Sequence, residues 1–363
     1  MTASTRLRFV IASGRRWDAS SLQLAFAAQS LVEHEVPVTI AVPIGTEAWW
    51  QTVVPDVAIS VFDAEGSTRA IRASLRAVAE ATRANVALVD DDALRRILAR
   101  SILESGCVLQ RVPFGAAMPE ESMASRLWFR RVPQALLVPS LGDAEAPRAV
   151  SERVQQFAIP LVASTPDAGV RAATRETPVL LVVPDAANPL DALPALRAAA
   201  LVARRHAELR IHLLGVPSQI QELRVYAAAL HLSAQLTTGP LTLGVPDLPA
   251  GTVAAWITAE GDAGATAALS VMTQRIPVLV PSTSSVAPAI ADRVTGIWLD
   301  ASDSLSDAVG AGVLARLIAH DDEQRSMGAA ARARVQRSHR VHKLGDAVLD
   351  AVERALAAAR RAA

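Results

Sequence analysis

The sequence predicts an α/β protein made of two successive parallel sheets, each covered by helices on both faces. Three observations lead there. Short apolar runs alternate with helical segments of about 12 residues along most of the chain, the pattern of strands buried on both faces. The alternation breaks once, over 164–177 (STPDAGVRAATRET), where turn formers accumulate without a sustained apolar period, and then begins afresh. At 363 residues the chain is too long for one ordinary core and fits two. The expected division is a first domain over 1–165, a linker over 166–177, a second domain over 178–343, and a closing helix over 344–363 that packs back on the first domain.

In the first half, apolar strands are expected at 7–12, 36–42, 58–62, 86–89, 107–111, 134–139 and 159–163. Helices with three- and four-residue apolar spacing are expected at 22–33, 68–83 and 92–104. Residues 13–21 form a polar loop, and Pro43 and Gly45 close the second strand. In the second half, strands are expected at 179–183, 209–215, 254–258 and 276–280, with helices at 190–205, 219–231 and 266–273. The tail from Asp303 is helical, with segments at 311–319 and 322–338, and an amphipathic helix at 344–359 closes the chain.

Composition excludes several functions. Hydrophobic residues at 51% and a mean hydropathy of +0.27 support well-buried cores, and aromatics at 4% leave those cores to Ala, Val and Leu. Lys+Arg 36 balances Asp+Glu 36, so no global field attracts nucleic acid or an anionic membrane. Lys343 is the only lysine, and no Gly-Lys-Ser/Thr phosphate loop exists. Cys107 is the only cysteine, which rules out an intrachain disulfide and a Cys-based zinc site. The apolar core of the N-terminal segment, 9–12, is too short for a signal peptide, and no apolar run is long enough for a transmembrane segment. The expected location is the cytoplasm.

The stretch 256–300 and the Arg-rich tail carry a more specific pattern. A small-residue turn and helix lead into Pro277-Val278-Leu279, then into Asp292-Arg293-Val294-Thr295-Gly296-Ile297, and the tail contains LIAHDDEQRSMGAAARARV over 317–335. These resemble the "PVV" strand, the "dG.tG.lv" turn and the "ll.d...r..mg..ar..v" helices of family-four-like (group 1) glycosyltransferases. Met327-Gly328 and the Arg332/Arg334 spacing match that family, and HEVPVTIAVP over 34–43 is similar to its "GHEVTVAVP". The resemblance implies the GT-B fold, two Rossmann-like domains facing a central cleft. It also implies a retaining, metal-independent transferase that takes a nucleotide-sugar as substrate, needs no cofactor, and holds its acceptor on the first domain.

The family's chemistry is altered position by position. Its two glutamates separated by seven residues, one on the donor sugar and one on the ribose, fall at Asp262 and Ser270. Ser270 bonds one hydroxyl but does not replace a carboxylate. A frame through Glu260 does not restore the pair, because Ala268 then takes the partner position. The Arg and Lys that neutralise the donor diphosphate are replaced by Pro184-Asp185-Ala186-Ala187-Asn188-Pro189, and a glutamate of a "pE.i" turn falls near Ala289. The family's first-domain histidine corresponds to Asp90, within Asp90-Asp91-Asp92.

Each remaining candidate has two readings. Asp90 and Asp91 either contact the acceptor or open a helix whose dipole they oppose. Arg15 and Arg16 either replace the diphosphate clamp or form a solvated loop. Gly261 and Gly264 either present N–H groups to an anion or make a plain tight turn. Arg275 is a further candidate cation for the donor. His339 and His342 read as surface helix positions, and Trp49-Trp50 as a loop anchor.

Two functions follow. In the first, Asp262, Ser270, Gly261 and Gly264 hold a nucleotide-sugar, with Arg15, Arg16 and Arg275 compensating its phosphates. In the second, a catalytically silent GT-B protein serves as a binding or assembly subunit, with a protein partner or a second copy on the face of 344–359. Neither involves nucleic acid or a metal.

Overall fold

The computed structural model describes residues 7–14, 18–102, 106–115, 132–141, 148–149, 154–164, 177–240, 248–300 and 306–362. Arg15, Arg16, the expected linker 166–177 save Thr177, and the end of the expected helix 92–104 therefore lie outside the described residues. The first half contains strands β1 (Phe9–Ala12), β2 (Val38–Pro43), β3 (Ala58–Phe62), β4 (Val86–Val89), β5 (Cys107–Arg111), β6 (Gln134–Ser140), β7 (Arg148–Ala149) and β8 (Val154–Pro160). Its helices are α1 (Ala19–Glu33), α2 (Glu47–Val53), α3 (Thr68–Thr82) and α4 (Asp92–Leu98). The second half contains strands β9 (Val179–Val183), β10 (Arg210–Leu214), β11 (Leu236–Gly239), β12 (Thr252–Ile257), β13 (Val278–Pro281) and β14 (Gly296–Leu299). Its helices are α5 (Leu193–Ala203), α6 (Pro217–Ala229), α7 (Gly261–Thr273), α8 (Ser306–Ala319) and α9 (Asp321–Ser338), and α10 (Val341–Ala362) ends the chain. Two compact units result, one of Met1–Val162 with Val341–Ala363, the other of Ala163–Arg340.

The first unit is built on a sheet in the order β3-β2-β1-β4-β5-β6-β8-β7, parallel except for the two-residue β7. Its chain order reverses between β1 and β4. β8 starts at Val154, where the sequence suggested 159, because Gln155 and Gln156 interrupt the apolar signal beside the sheet edge. Trp49-Trp50 sits on the short helix α2 rather than in a loop. Trp50 is fully buried and anchors it, while Trp49 is 59% exposed.

The returning helix α10 packs on α1, β5, β6 and β8. The two helices meet at Ser30 and Gly345, so closely that a Cβ on Gly345 would stand 2.2 Å from Ser30 Oγ. Ser30 Oγ donates to the His342 carbonyl at 3.1 Å. One turn on, His34 bridges the Ser30 carbonyl (2.7 Å) and Asp346 (2.8 Å).

The second unit's sheet runs β11-β10-β9-β12-β13-β14, all parallel, and reverses between β9 and β12. Leu180, Val182, Leu196, Ala199, Leu213, Trp256, Leu279, Leu314 and Leu317 form its core on one face. β11 was not expected from the sequence. Its LTTG is a half-exposed edge strand with little apolar signal. α7 begins at Gly261 rather than 266, so Gly261 and Gly264 belong to its first turn instead of a preceding turn. α9 comes up to the end of α7 at Gly328, where a Cβ would lie 1.9 Å from the Arg275 carbonyl. Among the described residues no helix is long and apolar enough to cross a membrane.

Two outcomes test this packing. Gly328→Ala forces α9 off the Arg275 carbonyl, and urea unfolding followed on the second unit should show a loss of about 1–3 kcal/mol. The His34 imidazole is pushed above its ordinary 6.5, first by its bond to the Ser30 carbonyl and then by Asp346. A raised folded-state value means the contribution is whole below 6.5 and fades as pH rises through that higher value. The melting-temperature gap between the wild type and His34→Ala should therefore be wider near about pH 5.5 than near about pH 8.5.

Candidate functional site

Parallel sheets of this kind present ligand sites beyond the carboxyl ends of their strands, where the strand order reverses. In the second unit that place lies between the loops after β9 and β12. The residues there bind one another. Asp185, leaving β9, accepts from the N–H groups of Ala187 (2.7 Å) and Asn188 (3.1 Å) through one oxygen, and from Glu260 N–H (3.0 Å) through the other. Glu260 leads into α7. Its carboxylate accepts from Ser285 N–H (2.8 Å) and from the Ser285 hydroxyl, and Ser285 Oγ in turn accepts from Gly261 N–H (3.2 Å).

Gly261 is required here by its backbone, with φ +61, and Gly264 by space. A Cβ on Gly264 would be 1.9 Å from the Ala259 carbonyl and 2.9 Å from Val286. Asp262 and Ser270 lie on the same helix face two turns apart. Both are buried, Asp262 at 9% and Ser270 at 3% exposed, with Thr266 at 3% between them.

Arg275 is not part of this group. It follows the other end of the 13-residue α7, about 20 Å along the helix. There it takes a left-handed turn, φ 61, into the amino end of β13, which puts it at the opposite edge of the sheet.

Acidic side chains dominate the loops at this edge, and Arg334 of α9 reaches the Pro288 carbonyl there at 3.0 Å. Among the described residues, the loops leaving the carboxyl ends, 184–189, 215–216, 258–260 and 282–291, and Asp300 after β14, contain Asp185, Glu260 and Asp300 but no Arg or Lys. Helix N-termini favour anions, and diphosphate departure needs positive charge. Here a carboxylate already stands at the helix entrance.

At the switch point of the first unit, Asp90 is 2% exposed and accepts from Ser13 Oγ (2.6 Å) and Gly14 N–H (3.1 Å). It thereby fixes the residues just before Arg15. Asp91 caps α4 by accepting from Ala93 N–H (2.7 Å) and Leu94 N–H (3.1 Å), and Asp92 pairs with Arg95 and Arg96. Arg111, at the carboxyl end of β5 and 2% exposed, donates to Ser20 Oγ at 2.7 Å. Sequence reasoning singled out neither Arg111 nor Ser13, and their only signal was a polar residue ending an apolar strand.

Other candidates fall outside both places. His339 is buried, contrary to the expected surface position, because it ends α9 and its carbonyl accepts from Ala163 N–H at 3.0 Å. His342 is exposed. Burial pushes the Cys107 thiol up to about 12, which leaves it unreactive. No three His, Cys, Asp or Glu side chains gather as a metal site among the described residues.

No protein-family model matches the chain, and no curated protein sequence does. Solved structures do. HepE from Anabaena, crystallised with UDP and glucose, is 13% identical with a TM-score of 0.69, over 96% of this chain and 100% of that one. A glycosyltransferase from Rickettsia africae ESF-5 is 9% identical with a TM-score of 0.68, over 96% and 99%. Sucrose-phosphate synthase from Thermosynechococcus elongatus is 12% identical with a TM-score of 0.67, over 97% and 100%. Across nearly its whole length, the chain has the fold of the GT-B glycosyltransferases.

Proposed function

We propose that the chain is a catalytically silent GT-B protein, a binding or assembly subunit that does not take a nucleotide-sugar on its second unit. The observation that carries this reading is the closed contact Asp185–Glu260–Ser285–Gly261. The N–H groups of Glu260, Gly261 and Ser285 each have an acceptor in the chain itself. A diphosphate entering there would have to displace hydrogen bonds already made and come to rest beside two carboxylates. At about 4 Å, two like charges near a protein surface repel by several kcal/mol.

A second reading is a nucleotide-sugar-dependent glycosyltransferase, retaining and metal-independent, with Asp262 and Ser270 on the donor and Arg15 and Arg16 on its phosphates. Its support is the likeness to HepE, which was crystallised with UDP and glucose, and with UDP-glucose. Asp90 also holds Ser13 and Gly14, the residues just before Arg15 in the sequence. Its acceptor would sit on the first unit beside Asp90 and Asp91. Location in the cytoplasm, and a protein partner or second copy on α10, remain proposals of the same kind.

Calorimetry with UDP, GDP and ADP and their sugars separates the two readings. The silent reading expects no saturable heat at millimolar nucleotide. Saturable binding that Arg15→Ala with Arg16→Ala abolishes would establish the second reading, and sugar transfer lost in Asp262→Ala would complete it. Asp185→Ala should cost about 1–3 kcal/mol in urea unfolding, because three N–H groups lose their acceptor.

A further inference from the structure

The first unit leaves one edge of its sheet open beside a group of exposed apolar side chains. β3 ends the strand order, with β2 on one side and no strand on the other. The Phe62 carbonyl accepts from Ile44 N–H at 3.0 Å, so Phe62 and Ser60 turn their backbone groups to β2. Ile59 and Val61, in alternation, turn theirs outward, and neither bonds another element among the described residues. Sheets in nature block such an edge with charge, proline or a covering segment. β14 is blocked by its own turn, where Asp292 accepts from Trp298 N–H at 2.9 Å and Arg293 N–H donates to the Gly296 carbonyl at 2.7 Å. β7 covers the far edge of the first sheet. β3, with the sequence AISVF, has neither charge nor proline.

The apolar group lies on one side of that edge. Phe62 joins the core with Leu75 and Ala79 of α3, so Val61 points to the opposite face, where α2 packs against β3 and α1. Val61 is 43% exposed, Ile44 just after β2 is 64% exposed, and Trp49 on α2 is 59% exposed. Exposed apolar side chains grouped in this way mark an interaction surface.

The charged residues of 44–68 are all acids: Glu47, Asp56, Asp63 and Glu65. α1 adds only Glu33, and Arg69, Arg72 and Arg76 belong to α3, which packs on the opposite face. Asp56 lies two residues before β3 and Asp63 directly follows it, so an acid stands at each end of the open edge. Two copies paired antiparallel through β3 would bring these acids together, and an anionic membrane would meet them too.

We propose that the β3 edge docks an extended segment of another protein, with alternating apolar side chains and a Lys or Arg at each end. The segment adds a strand beside β3 through the outward backbone groups of Ile59 and Val61. Its apolar side chains lie on the side of Val61, Ile44 and Trp49, and its cations meet Asp56 and Asp63. This gives the binding reading a partner surface on the first unit, and it holds whether or not the second unit takes a nucleotide.

The test uses the full-length protein and a fluorescein-labelled peptide, Lys-Thr-Val-Thr-Val-Thr-Val-Thr-Lys, with a matched peptide ended by Glu in place of Lys. Anisotropy should show saturable binding of the Lys-ended peptide and about tenfold weaker binding of the Glu-ended one. Val61→Lys should abolish binding yet melt as the wild type does, because the backbone groups of Val61 lie outside the ladder with β2. Asp56→Lys with Asp63→Lys should reverse the preference between the two peptides. No binding of the Lys-ended peptide by the wild type overturns the proposal, as does binding unchanged in Val61→Lys or equal for both peptides. Dimerisation in light scattering that Val61→Lys removes would assign the edge to a second copy. Binding to phosphatidylglycerol vesicles that Trp49→Ala removes would assign it to a membrane. Either result overturns the proposal.

Discussion

The approach of α7 to the end of β12 constrains everything around it. With no side chain on Gly264, the helix backbone comes down on the Ala259 carbonyl, and the left-handed turn at Gly261 lets the chain leave β12 at the required angle. A helix seated that close must be made of small residues, and α7 is largely Ala, Gly, Ser and Thr. The same closeness brings the Glu260 and Gly261 N–H groups against the loops after β9 and β13. Backbone donors in such a place must find acceptors. Asp185 and Ser285 supply them, and Glu260 supplies the acceptor for Ser285. A packing requirement has thereby become an electrostatic one.

That electrostatic consequence separates the two units. Both sheets reverse their order at a switch point, and both place an aspartate there. In the first unit, Asp90 faces inward, tied to Ser13 and Gly14, with Arg111 and Ser20 nearby on the α1 side. In the second unit, Asp185 and Glu260 share one edge, where the described parts of the loops leaving the strands hold no arginine or lysine and Arg334 of α9 reaches the Pro288 carbonyl. The topology is common to both, but among the described residues it is the first unit that ends a parallel strand on an arginine at the carboxyl edge, Arg111. Likeness at or below 13% identity to proteins crystallised with UDP extends to the sheets and helices alone.

Much of the fold was legible because most strands here are runs of Val, Leu, Ile and Ala buried on both faces, a signal that depends on neighbours in sequence alone. β11 was not legible, since two threonines and a glycine at a half-exposed edge carry little apolar pattern. The start of α7 was hidden because glycine is a poor helix former, and the reason for Gly264 lies in Ala259 rather than in the helix. In the candidate site, Asp262 and Ser270 were singled out through the family resemblance rather than by any pattern of their own. The Glu260–Ser285 contact joins residues 25 apart through a loop, and no periodicity announces it. Arg275 was misjudged for a different reason: closeness in sequence to the site helix was taken for closeness to its working end. In a parallel sheet, the residue that follows a helix stands at the amino edge, away from the ligand.

The second unit's tightest contacts lie at the positions that carry the sequence resemblance. The positions that match the family most closely, Pro277-Val278-Leu279, Gly296 and Met327-Gly328, are strand, turn and helix contacts buried in the second unit. A Cβ on Gly296 would lie 2.2 Å from the Val278 carbonyl, and one on Gly328 would lie 1.9 Å from the Arg275 carbonyl. These positions tolerate almost nothing else, whatever the protein binds. Asp185, Glu260 and Ser285 are held in another way, by hydrogen bonds to one another. The second unit is thus held at two levels, by backbone contacts that leave no room for a side chain at Gly296 and Gly328, and by side-chain hydrogen bonds among Asp185, Glu260 and Ser285 at the carboxyl edge of its sheet.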